Sequence, residues 1–262
     1  MLLKRSVRTN ITVQVVLTIV ALIFAAPLII TFVVSLQGEG FVNYLTVLQN
    51  PQIPRFFLNS LITTSCTIVL VYFLSLSSAY AFSKLEIKGK TILFNAVLVG
   101  LMLPGVAILV PLFLTIKQFS LFDNYLALII PYTAFNLPFN ILLMRNFLDG
   151  LPNELLDAAK IDGCTSWTAL LKIVVPLSKP ITVVVVIWTF LSTWNEFFFS
   201  LVFMRSQDMQ TITRAPSFYV GVYGQDTGKI FASLVLISLP IIVLYLSLQK
   251  YFEGGMTSGA IK

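Results

Sequence analysis

NELLDAAKIDGCTSWTALLKIVVP, Asn153 to Pro176, is the least apolar long stretch of a very apolar chain. Leu151-Pro152-Asn153-Glu154 reads as a helix start. Proline in the first helical turn loses only an N–H that has no partner there, and an acid sits well at the positive helix end. Leu155, Ala158 and Ala159 share one face by their i, i+3, i+4 spacing, while Asp157 and Lys160 point elsewhere and Asp162 lies further round. Alanines on a face let another surface come close. Gly163 is expected to end this helix in the left-handed conformation. Thr165 or Ser166 then caps a second short helix through Trp167, Leu170 and Leu171, which Pro176 ends. The pattern predicts two short amphipathic helices with a sharp bend between them, held at a membrane surface. On the residues alone two readings stand: helices lying in the lipid interface, or a surface docked to a partner protein.

The rest of the chain says why a membrane is involved. Of 262 residues, 57% are hydrophobic and 11% charged, with a mean hydropathy of +0.92; soluble domains average about 25% charged residues. A span needs about 20 apolar residues, and six charge-poor windows supply it: within Thr9–Gly38, between Arg55 and Lys84, Lys90 and Lys117, and Asp123 and Arg145, from Pro180 to Met204, and between Lys229 and Lys250. The predicted fold is all-α, a polytopic six-transmembrane-helix protein forming one domain over residues 1–262. Pro27, Pro104, Pro111, Pro131, Pro138 and Pro240 are expected to kink it. The first window continues past the length of a signal-peptide core and reads as a retained span.

The net charge of +6 reads as topology and not as nucleic-acid binding. With the N-terminus inside, twelve of the 17 Lys and Arg residues fall on the inner side and five on the outer side (Arg55, Lys117, Arg205, Arg214 and Lys229). That asymmetry predicts both termini, and the Asn153–Pro176 stretch, in the cytoplasm. Two cysteines, Cys66 and Cys164, are expected at different depths and so unpaired, and with no histidine they cannot build a Cys/His metal site. No catalytic or metal-ligating set is expected.

The polar stretch resembles the cytoplasmic EAA loop of ABC-importer permeases: Asp157-Ala158-Ala159, three residues, Gly163, nine residues, then Ile173-Val174-Val175-Pro176. Asp157 replaces the family's Glu and Val175 its Leu. Three further stretches resemble the carbohydrate-uptake, maltose-type group: WNEFFFSLVFM (Trp194–Met204), GVYGQDTGKIFASLVLISLP (Gly221–Pro240) and QKYFEGGMTSGAIK (Gln249–Lys262). The resemblance implies a permease subunit of a prokaryotic cytoplasmic membrane. Its partners would be a second permease, two ATP-binding subunits that use ATP and Mg, an extracytoplasmic solute-binding protein and membrane lipid. This chain would bind no cofactor and would not be an enzyme. No G-x-x-x-x-G-K-[ST] motif occurs: before Gly89-Lys90-Thr91 the first glycine would fall at Lys84.

By resemblance, the loop of about residues 147–179 docks on the ATP-binding subunits through Glu154, Asp157, Ala158, Ala159, Asp162 and Gly163, and the tail from Phe252 to Lys262 reaches them too. Trp194, Asn195 and Glu196 are candidates for the transport path, since a charge in a span is costly; Glu196 sits about 24 Å along its span at 1.5 Å per residue. The outer loop Arg205–Gly228 is expected to meet the binding protein, with Arg214, Tyr219, Tyr223 and Asp226 as contacts. The alternatives are a permease for a non-carbohydrate solute such as glycerol phosphate or a polyamine, and a secondary transporter.

Overall fold

The computed structural model describes residues 7–221 and 224–258 and builds them from helices. By length and composition four helices are able to cross a membrane unbroken: Ile11–Ser35 of α1 (Val7–Ser35), α3 (Ile53–Lys84), α6 (Leu126–Asp149) and Thr227–Gln249 of α12 (Thr227–Ser258). A fifth run, Ser166–Leu177 followed by α10 (Lys179–Trp194), bends by 79°.

Two expected spans are interrupted. The stretch from Lys90 to Lys117 is two helices, α4 (Lys90–Val99), extended by a 3-10 turn at Gly100–Met102, and α5 (Leu109–Gln118). Leu103 leaves the helix in an extended conformation (ψ 114°), as the residue before a proline is driven to do, and Pro104 follows. Gly100 lies against α6 so closely that a Cβ there would sit 2.9 Å from Pro138 Cγ. The fifth span stops at Trp194, not at Met204; after three residues the chain starts a short helix, α11 (Phe198–Phe203).

The chain divides into two compact units. Among the described residues, those of 7–53 and 215–238 form the first. In it the turn after α1 is fixed by Asn43, at the start of α2 (Val42–Gln49), whose amide donates to Ser35 O (2.9 Å) and Gln37 O (2.8 Å). The Ser35 and Tyr44 hydroxyls bond to each other.

Among the described residues, 54–214 and 239–258 form the second unit. Its packing has two centres. At one end Val71, Leu76, Ala79 and Tyr80 of α3 meet Met144 and Leu148 of α6, Val185 of α10, and Leu170 and Val174. At the other, Ile116, Ala127, Leu128, Tyr132, Phe199, Phe203 and Met204 close together. Between spans in lipid, close packing and hydrogen bonds hold helices where the hydrophobic effect does not. Accordingly Ser192 donates to Asn136 Oδ1 (2.7 Å), joining α10 to α6.

Candidate functional site

Between α6 and α10 the chain forms a bent pair of short helices. The first, α7 (Glu154–Ile161), ends in a complete Schellman motif: Gly163 N–H donates to Lys160 O (3.0 Å) and Cys164 N–H to Ala159 O (2.9 Å). Gly163 has φ +78°, and nothing lies within 4 Å of where its Cβ would be. Thr165 caps the second helix, its hydroxyl accepting from Thr168 N–H at 3.2 Å. That helix begins as α8 (Ser166–Ala169), widens to a π-helical turn at Leu170–Val174 and closes as α9 (Val175–Leu177). Leu170 and Val174, four residues apart and so on one side of the helix, both enter the core shared by α3, α6 and α10. Ser178, fully buried, donates its hydroxyl to Val174 O at the corner where α10 turns away.

The root of the pair is tied to the end of α3. Lys84 Nζ donates to Leu151 O and to Asn153 Oδ1, both at 2.8 Å. Beside it Ser83 donates to Asp149 Oδ1 (2.6 Å), and Arg145 pairs with Asp149 (3.6 Å) while stacking over Phe94. The pair is therefore anchored on three long helices at its base, and its bend projects.

The projecting face mixes acids with bare apolar side chains. Glu154, Asp157, Ala158, Asp162 and Gly163 are exposed. Asp157 accepts from Lys160 Nζ at 3.0 Å, a hydrogen bond that raises the lysine's pKa. Ile161 is 87% exposed and Trp167 63%, on a face bordered by charges. Large apolar side chains left bare beside exposed acids suit an interaction surface. Ala159 differs from its neighbour. It is buried, because consecutive helical residues point about 100° apart and Ala158 takes the outward direction. The shared face expected for Leu155, Ala158 and Ala159 is thus divided: Leu155 and Ala158 outward, Ala159 inward.

At the far end of α10 the Trp194-Asn195-Glu196 run forms a stop and a start. Trp194 is buried, stacked on Phe190 (5.1 Å) and edge-on to Phe57 (5.5 Å). Asn195, exposed, donates its side-chain amide to Leu191 O (2.9 Å), the same carbonyl that accepts its backbone N–H (3.4 Å) at the end of the helix. Glu196 turns its carboxylate on the next helix, accepting from Phe199 N–H (2.9 and 3.0 Å) and Ser200 N–H (3.4 Å), and from the Tyr132 hydroxyl of α6 (2.9 Å). Thr213 donates to Glu196 O (3.0 Å), and Thr211 to the Ser200 hydroxyl (2.7 Å). Arg214 lies over the Phe197 ring at 5.5 Å, and partial burial lowers its pKa.

In the first unit a polar cavity of about 760 Å³ is lined by Gln37, Thr46, Tyr219, Gln225, Asp226 and Lys229 among others. Asp226 pairs with Lys229 at 2.9 Å, and Glu39 with the same ammonium at 3.4 Å. The hydrogen bond from Lys229 lowers the Asp226 pKa. Tyr223, and the tail beyond Ser258, lie outside the described residues, as do the side chains of Phe252 to Ser258. Among the described residues no three His, Cys, Asp or Glu side chains converge on a metal-sized space, and Cys66 and Cys164 are both free.

Residues 72–258 match the model of the family described as "Binding-protein-dependent transport system inner membrane component". The chain belongs to that family. Among its relatives is "Probable ABC transporter permease protein YurM" of Bacillus subtilis, 39% identical over 213 residues, which cover 81% of this chain and 71% of the relative. The diacetylchitobiose uptake system permease protein NgcG of Streptomyces coelicolor is 31% identical, over 85% of this chain and 74% of its own. In fold the chain is similar to a subunit of a bacterial ABC transporter that imports alginate, with a TM-score of 0.77, 24% identity and coverage of 93% of this chain and 96% of the other.

The match includes the bent helix pair, so this transport-system component carries its projecting knuckle inside the family's common region. Reading the sequence missed three residues there. Lys84 reads in the sequence as a charge bounding a span and as one of the inner-side cations; its tether to residue 153 joins positions 69 apart in sequence, which no local pattern reveals. Ile161 carried a signal, an isoleucine directly after Lys160 on a polar face. Trp167 was placed in the second helix without its exposure.

Proposed function

We propose that the chain is the permease subunit of a binding-protein-dependent ABC importer for a carbohydrate, one transmembrane domain over residues 1–262 of a prokaryotic cytoplasmic membrane. Both termini and the bent helix pair face the cytoplasm. A second permease completes the pathway, two ATP-binding subunits supply the chemistry with ATP and Mg, and an extracytoplasmic binding protein delivers the solute. The chain itself binds no cofactor and catalyses no reaction.

The observation that carries this reading is the knuckle: a rigid bend whose outer face bears Glu154, Asp157, Ala158, Ile161, Asp162 and Trp167 and whose base is fixed in the core of three spans. A surface built so transmits force as one body. ATP-driven closure of the partner subunits moves Gly163 and its helices together, and the spans change between two arrangements. Ala159 acts at the inner side of the lever and the other named residues at the docked side. Carbohydrate as the solute class is supported by the relatives: besides the diacetylchitobiose permease they include the arabinooligosaccharides permease of Bacillus subtilis (34% identical) and the trehalose/maltose permease of Thermococcus litoralis (32%).

For the transport path, Asn195 is the exposed member of its trio, while Trp194 and Glu196 position the break beside it. Arg214, Tyr219, Tyr223 and Asp226 belong to the outer surface that receives the binding protein. Co-expression with the ATP-binding subunits tests the reading. Sugar uptake into vesicles should require ATP and every partner; uptake by this chain alone, driven by an ion gradient, would refute it.

A further inference from the structure

We infer that the groove between α5 and α6 binds an anionic glycerophospholipid, with an acyl chain in the groove and the phosphate on Lys117 and Arg205. The groove has a volume of about 310 Å³ and is lined by Leu112, Thr115, Ile116, Phe119, Leu126 and Ile130, together with Leu121 and Pro131. Thr115 supplies the one polar side-chain group in that lining, and its hydroxyl already donates to Pro111 O at 2.9 Å. Nothing is left to recognise a sugar or a water. A dry space at the lower end of the ~300–1,000 Å³ range of small-molecule sites, on helices that cross lipid, selects hydrocarbon.

One rim of the groove is where α5 ends and α6 begins, so it lies at the membrane surface. Two cations stand there. Lys117, in the last turn of α5, is exposed, and follows Ile116 of the groove wall. Arg205, also exposed, holds its guanidinium carbon 5.6 Å from the centre of the Phe122 ring, and Phe122 packs on the cluster that contains Ile116. Neither cation makes an ion pair among the described residues. The carboxylate on the same turn, Asp123, is turned to Ser206 N–H, which it accepts at 3.0 Å with each oxygen. Two unpaired cations at the surface end of a dry groove complement a phosphodiester above an acyl chain.

The inference depends on the chain spanning a membrane and not on which solute it carries, so its failure would leave the transport reading untouched. The test is native mass spectrometry of the assembled transporter, delipidated and then offered phosphatidylglycerol or phosphatidylcholine. Phosphatidylglycerol should be retained in preference, and Lys117→Gln with Arg205→Gln should lower its retention by about fivefold for each cation removed. A photoreactive phenylalanine analogue at Phe119, 68% exposed, should give an adduct heavier by one phospholipid. Equal retention of both lipids, retention unaffected by the double substitution, or an adduct to the partner permease's polypeptide would each overturn the assignment.

Discussion

Replacing Gly163 separates the bend itself from the room around it. The residue has φ +78° and open space where a side chain would begin. Within this chain a larger residue therefore meets nothing, and the whole cost is conformational. An L-residue in the left-handed region costs about 1–2 kcal/mol. That is about five- to thirtyfold in the ratio of bent to straightened loop. Asparagine reaches this region more easily than alanine, and a β-branched residue least easily of all. Uptake into vesicles at matched membrane levels should therefore fall in the order Gly163, Gly163→Asn, Gly163→Ala, Gly163→Val, with insertion and subunit assembly unchanged. The reasoning is refuted if loss tracks side-chain volume instead, with Gly163→Asn worse than Gly163→Ala. That order would mean that the glycine makes room for a partner and its backbone conformation is incidental.

Two further substitutions probe the base and the far end of the lever. Lys84→Met keeps the aliphatic stem but removes both hydrogen bonds to residues 151 and 153; the loss of about 1–2 kcal/mol should uncouple the machine, so that ATP hydrolysis continues while uptake falls, and an unchanged ratio of uptake to hydrolysis would contradict the tether's role. Glu196→Met removes both oxygens that now accept from two backbone N–H groups and a tyrosine hydroxyl; leaving buried donors unpaired costs about 1–3 kcal/mol, read as a lower unfolding temperature of the purified transporter with its ATP-binding subunits still bound, and an unchanged unfolding temperature would return Glu196 to the transport path.

Much of the knuckle was legible because its signals are local. A glycine after the first helix and a threonine before the second each act on the backbone within a few residues, and the structure uses both as capping rules predict; Pro152, expected in the first helical turn, lies two residues before α7 and outside it. The π turn at Leu170–Val174 was not legible, because no local pattern marks it and the core that Leu170 and Val174 enter is made by distant helices. The apolar runs were legible from charge-free windows, but their number as spans and their breaks were not: six were expected, and among the described residues four helices can cross unbroken, with a fifth run bent by 79°. Pro104 reads as a kink, whereas Leu103 leaves the helix altogether. Asn195 and Glu196 looked like polar groups stranded in a span. In fact one closes a helix and the other opens the next, and the partner that reveals this, Tyr132, lies 64 residues away. Sequence patterns read contacts within a turn or two; what they miss is contact between elements.

The central claim is that the bend is seated in a nucleotide-driven partner. A photoreactive residue in place of Ile161, whose side chain is 87% exposed at the tip of α7, tests it most directly in the assembled transporter. The account predicts a crosslink to the ATP-binding subunit, changing in yield when ATP closes that subunit. An adduct to lipid, or a crosslink to the extracytoplasmic binding protein, would contradict it.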